Sequence, residues 1–228
     1  IEGIKMTSRT NYTFKNLIAN GFHVLLTVGL SLIVRTVFIK VLGKEYLGIT
    51  GLFNNIFSIL ALAELGIGSA IAYKLYKPLA EKDYQRTRVL MKFYKKAYQI
   101  ISLVILVLGL LTMPFLKYII KGDADFINIY LVYAIFLLQT ISTYMFFAYK
   151  STLIKADQRE YVAIRIGYLV ETISSITQII ILIIFEDYII YISSLIFFNI
   201  IKNILIARRV DKDYAYINEK TDEELPKH

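Results

Sequence analysis

Residues 127–149 read INIYLVYAIFLLQTISTYMFFAY, without a single formal charge. As a helix they would span about 35 Å, and a bilayer's hydrocarbon layer needs roughly 20 mostly apolar residues. A surface helix of a soluble protein carries polar residues every three or four positions on its outer face. This stretch has no such face. The pattern recurs, so that six transmembrane spans are expected at 16–42, 47–73, 97–119, 127–149, 162–185 and 188–207. Between 47 and 73 the only formal charge is Glu64, and between 97 and 119 it is Lys117.

Composition agrees with a helical membrane protein. Of 228 residues 57% are hydrophobic and 19% charged, against about half and a quarter in an ordinary soluble domain. The absence of cysteine excludes a disulfide framework, a zinc-thiolate site and a thiol nucleophile. The net charge of +8 suits either a nucleic acid or an anionic membrane, and its distribution decides between them. Twenty-one of the 26 Lys and Arg fall before span one, between spans two and three, between four and five, and at or beyond the end of span six. Lys40, Lys44, Lys117 and Lys121 fall on the other side, and Arg35 within span one. This is a positive-inside pattern and places both termini in the cytoplasm. Tyr73, Tyr76, Tyr118, Tyr149, Tyr161 and Tyr188 lie at span ends, where an interfacial belt forms. A nucleic-acid partner is therefore not expected; membrane lipids are.

The chain divides into a cytoplasmic segment at 1–15, a six-helix lobe at 16–207 and a polar tail or linker at 208–228. Span one contains Arg35, is too long for a signal peptide and is followed by further spans, so it reads as retained. The basic connection 74–96 carries Leu79, Tyr84, Val89, Leu90, Phe93 and Tyr94. It suits an amphipathic helix on the anionic inner leaflet or a cytoplasmic extension of span three. Pro114 is expected to kink span three near its outer end.

Catalytic motifs are missing. With two histidines there is no HExxH, and neither a GxxxxGK[ST] loop nor a GxSxG elbow occurs. No enzyme, metal site or cofactor is expected. The ionisable groups within the spans, Arg35, Glu64 and Glu171, are costly in lipid and belong on a bundle interior or an aqueous cavity. At 100° per residue Asn16, Asn20, His23, Thr27, Ser31 and Arg35 share roughly one third of span one. Such a stripe walls a hydrophilic cavity or makes interhelical hydrogen bonds. Arg35 lies ~10 Å below the outer end of span one and Glu64 ~25 Å below that of span two, too far apart in depth for a direct pair. Glu64 and Glu171 share a depth, each ~14 Å from the inner face. They either hold a proton or coupling cation between them or are structural carboxylates. Arg35 is then open to a solute anion, or snorkels to the surface. Gly66, Gly68, Ala70 and Ala72 mark close helix contact in span two.

The segments RTVF at 35–38, LGKEYLG at 42–48, GLFNNI at 51–56, LAELGIGSAI at 62–71, LYKPLAEKD at 75–83 and YKSTLIKADQR at 149–159 occur in this order. Together they resemble the bacterial polysaccharide flippases, the O-antigen and capsule repeat-unit translocases of the multidrug/oligosaccharidyl-lipid/polysaccharide exporter superfamily. The resemblance implies a two-lobe fold that rocks around a central cavity. It implies a substrate of oligosaccharide on polyprenyl pyrophosphate, moved across the bacterial cytoplasmic membrane by alternating access. The resemblance also implies that cationic cavity residues hold the pyrophosphate and acidic sugars, and Arg35 matches such a position. Relatives have twelve or more spans, so a chain of six that begins with Ile reads as the N-terminal lobe, with a second lobe, a second copy or glycan-assembly enzymes as partners. Two alternatives stand beside it. One is a cation-coupled drug exporter of the same superfamily, with Glu64 or Glu171 as coupling site. The other is a membrane scaffold for glycan-assembly enzymes.

Overall fold

A computed structural model describes residues 21, 24–61, 67–120, 127–146 and 148–219. Asn16, Asn20, His23, Glu64 and Gly66, the segment 1–15 and residues 220–228 lie outside the described residues.

The described chain is all-helical. Helix α1 covers Val24–Val41. It is followed by α2 (Lys44–Leu60), α3 (Ile67–Ala80), α4 (Tyr84–Thr112), α5 (Leu116–Ile119), α6 (Ile129–Phe146), α7 (Ala148–Ala156), α8 (Glu160–Phe185) and α9 (Tyr188–Asp213). Five helical units are long and apolar enough to cross a membrane: α1, α4 with its continuation to Ile119, α6, α8 and α9. Their outward faces carry Leu25, Val28 and Leu32 on α1, Leu103, Val107 and Leu111 on α4, and Ile173, Ile176, Ile180 and Ile184 on α8, all exposed. An apolar surface of this extent is untenable in water and ordinary in lipid. The second expected span, 47–73, is represented by α2 and α3. Residues 62–66 between them lie outside the description, and α2 by itself has 17 residues.

Local sequence sets the turns. Gly43 closes the α1–α2 turn at φ 98°, a region that glycine enters without steric cost. Asp83 caps α4 by accepting from the Arg86 amide at 2.9 Å, and Asp187 caps α9 by accepting from Ile190 at 2.8 Å. Pro114 lies where α4 gives way to a 3-10 turn over Met113–Phe115, because proline cannot donate the next helical hydrogen bond.

The basic 74–96 segment is a helical hairpin formed by the end of α3 and the start of α4. Helix α4 runs unbroken for 29 residues, about 44 Å, against a hydrocarbon layer of about 30 Å. Its first turns therefore project beyond the apolar layer. Val89, Leu90 and Tyr94, candidates for a lipid-facing stripe, are instead buried within the protein, while Tyr84 and Phe93 remain exposed.

Two cores result. The larger joins α1, α2, α4, α6, α8 and α9 through Phe38, Phe53, Ile105, Tyr133, Leu182 and Ile192. At one end of it Phe38, Tyr46, Tyr188 and Tyr191 pack ring against ring; this is the aromatic end. The second core lies at the opposite, basic end, where Ile71, Leu75, Leu90, Tyr94, Leu153 and Val210 bring together α3, α4, α7 and α9. Helices α4 and α6 approach closely at Gly109. A Cβ there would meet Leu137 Cδ1 at 2.5 Å, and Leu137 is itself buried. Gly109→Val is therefore expected to cost ~1–3 kcal/mol through overpacking, read as a lower melting temperature in detergent. An unchanged melting temperature would contradict this contact.

Candidate functional site: a polar cavity between five helices

Polar residues recur at helical spacing on the inner faces of the bundle. On α8 Glu171, Ser174, Ser175 and Gln178 follow the i, i+3, i+4, i+7 pattern of one face. On α9 Leu195, Phe198, Asn199 and Lys202 do the same. Helix α1 adds Thr27 and Ser31, α2 adds Thr50 and Asn54, and α6 adds Phe136 and Gln139. With Val170, these residues line one cavity of about 360 Å³.

The short α8–α9 turn sets its depth. Counting away from Glu186 and Asp187, Glu171 and Lys202 each lie about 22 Å from the turn, and Gln178 and Leu195 about 12 Å. The cavity thus occupies the middle of the helix lengths, where polar side chains need protein or water partners. The equal count also brings the two charges together. Lys202 Nζ donates to Glu171 Oε1 at 3.3 Å.

The remaining groups form a hydrogen-bonded wall. Gln178 Nε2 donates to Ser174 Oγ at 2.7 Å, and both residues are buried. Asn199 Nδ2 donates to Thr143 Oγ1 at 3.0 Å, and Thr143 donates in turn to the Gln139 carbonyl. Thr50 Oγ1 donates to the Tyr46 carbonyl and shares a 2.8 Å hydrogen bond with the Tyr188 hydroxyl, tying the cavity rim to the aromatic end.

The structure brings together three residues singled out by sequence: Thr27, Ser31 and Glu171. Arg35 is exposed and outside the lining, although it lies only one turn beyond Ser31. Asn20, His23 and Glu64 lie outside the described residues, so the expected Glu64–Glu171 neighbourhood does too. Sequence reasoning missed Lys202, which it assigned to the end of span six. It also missed Ser174, Ser175, Gln178, Asn199, Thr50, Asn54 and Gln139. The signal was available in the same helical periodicity applied to span one.

The basic end is tied by charge. Asp213 accepts from Arg159 at 2.7 Å and from Arg209 at 3.1 Å. Lys150 reaches both Asp211 oxygens at 2.7 Å. A 3-10 turn over Ala215–Asn218 docks against α4, where Arg88 donates to the Tyr216 carbonyl and to Glu219. Tyr214 donates to Asp157, and its hydroxyl is held above the usual range, first by burial and then by that carboxylate. Tyr216 is pushed up to about 12 by burial, the Asp157 charge and Tyr84, against an ordinary value of about 10. A phenol whose folded value is raised adds stability that is whole below about pH 10 and is lost as the pH rises toward 12. In an ultraviolet absorbance titration, the difference between the parent and Tyr216→Phe is expected to have its midpoint near 12. A midpoint near 10 would contradict the docked segment.

No protein-family model, curated protein or solved structure matches the chain.

Proposed function

We propose that this protein is the N-terminal lobe of a lipid-linked oligosaccharide flippase. In this reading it has six spans with both termini in the cytoplasm. With a second lobe it moves an oligosaccharide on polyprenyl pyrophosphate across the bacterial cytoplasmic membrane for surface polysaccharide assembly, by alternating access. No covalent bond is made or broken.

The observation that carries the reading is the cavity of about 360 Å³, lined by polar side chains of α1, α2, α6, α8 and α9, four of them apolar helices of membrane length. Transporters hold their solutes near the bilayer midplane, and a packed scaffold has no need of such a space. The resemblance of the ordered segments to those of polysaccharide flippases supplies the substrate class. On that resemblance Arg35, exposed beyond the cavity, takes the pyrophosphate. The cation-coupled exporter is less well supported. Glu171 already has the Lys202 ammonium as its counter-charge, so the carboxylate in the described lining is not waiting for an ion.

The test is reconstitution of the complete reading frame in proteoliposomes with a fluorescent lipid-linked oligosaccharide. Transfer between leaflets well above that of empty vesicles is the expected result, slowed in Arg35→Ala. Equal transfer with and without the protein would overturn the reading. Parent-like transfer in Arg35→Ala would remove Arg35 alone from it.

A further inference from the structure

The described cavity lining carries one negative and one positive charge, Glu171 and Lys202, and they are paired. Every other polar group in the described lining is neutral. Four are carboxamides, Asn54, Gln139, Gln178 and Asn199, and five are hydroxyls, Thr27, Ser31, Thr50, Ser174 and Ser175. Both group types donate and accept. An anion approaching Lys202 meets the Glu171 carboxylate beside it, and a cation approaching Glu171 meets the ammonium; at such separations attraction and repulsion are of similar size. A ligand hydroxyl, itself donor and acceptor, matches amides and hydroxyls without net charge. Phe198, half-buried in the lining, adds an apolar ring surface suited to the C–H face of a sugar. At ~30 Å³ per water the space equals about a dozen waters, room for a solute the size of a sugar ring.

We infer that the cavity binds a neutral glycosyl unit, and that Glu171 is a specificity residue that makes it so by neutralising Lys202. The inference rests on reading the cavity as a solute site. It departs from what the resemblance implies, since the charged part of the substrate is kept out of this cavity. Removing the carboxylate leaves Lys202 as a bare cation and turns the cavity toward anions. Removing the ammonium turns it toward cations.

The chain contains no tryptophan, so Phe198→Trp gives a single fluorescent reporter in the wall, with Phe136→Trp as its control. In lipid nanodiscs the reporter protein is titrated with methyl glucoside, glucuronate and glucosamine, which share a ring and differ in charge. Methyl glucoside is expected to bind about tenfold more tightly than either charged sugar, a difference of about 1.4 kcal/mol. In Glu171→Gln glucuronate becomes the preferred ligand, and in Lys202→Gln glucosamine does. The double variant Glu171→Gln/Lys202→Gln keeps the parent's preference, which separates loss of charge balance from loss of fold. Tightest binding of glucuronate by the parent, an unchanged preference in Glu171→Gln, or no response to any of the three sugars would each overturn the inference. Sugar selectivity without transfer in proteoliposomes would sink the transport reading alone. Transfer with an anion-preferring cavity would sink the charge filter alone.

Discussion

Lys202→Met is expected to lower stability by about 2 kcal/mol, and adding Glu171→Gln to restore most of that loss. The single change leaves a carboxylate without its counter-charge at the depth of the hydrocarbon layer. Breaking a fully buried pair costs about 3–5 kcal/mol, whereas exposed pairs are worth about 0–1. This pair lies between, since the Lys202 and Glu171 side chains are 30% and 46% exposed. The double variant removes both charges and so the penalty. Melting temperatures of the four proteins in one detergent complete a double-mutant cycle. Additive losses would show that the two charges do not interact.

Tyr133→Ala is expected to cost about 3–5 kcal/mol, the range for deleting a large buried aromatic ring. Tyr133 is fully buried where α2, α4 and α6 meet. Its ring packs on Phe53 and Phe57 at centroid distances of 5.5 and 5.1 Å. Its hydroxyl donates to the Gly109 carbonyl at 2.9 Å, where α4 and α6 pack closely. Lipid contributes little hydrophobic drive between helices, so this packing carries much of their association. Tyr133→Phe keeps the ring, loses the hydrogen bond and is expected to cost only about 1 kcal/mol. Equal losses in the two variants would mean that the hydroxyl, not the ring, holds the junction.

Hydropathy made the membrane helices legible, because a segment that must satisfy its backbone in lipid needs length and apolarity together. It marks where lipid ends, not where a helix ends. Span six was bounded at 207, yet α9 continues to Asp213, with Arg209 and Asp213 paired one turn apart. That early boundary put Lys202 at a membrane surface and concealed its pairing with Glu171. The second core was hidden for a related reason. Its helix ends are rich in lysine and arginine, and a charge count records sidedness without showing that Leu75, Leu90 and Val210 pack beneath those charges. Thr27 and Ser31 of span one line the cavity, while Arg35, at the edge of the same arc, falls outside it. A helical wheel ranks directions, and the neighbours decide where the wall stops.

Thiol accessibility tests the central claim, a hydrophilic cavity at membrane depth, most directly. Because the chain has no native cysteine, single substitutions report without background. Ser175→Cys places a thiol in the cavity wall, and Ile176→Cys places one on the exposed apolar face of the same helix. In membranes, a charged methanethiosulfonate is expected to modify Ser175→Cys and to leave Ile176→Cys unreacted. If Ile176→Cys reacts and Ser175→Cys stays inert, the apolar face meets water, the cavity does not, and the account fails.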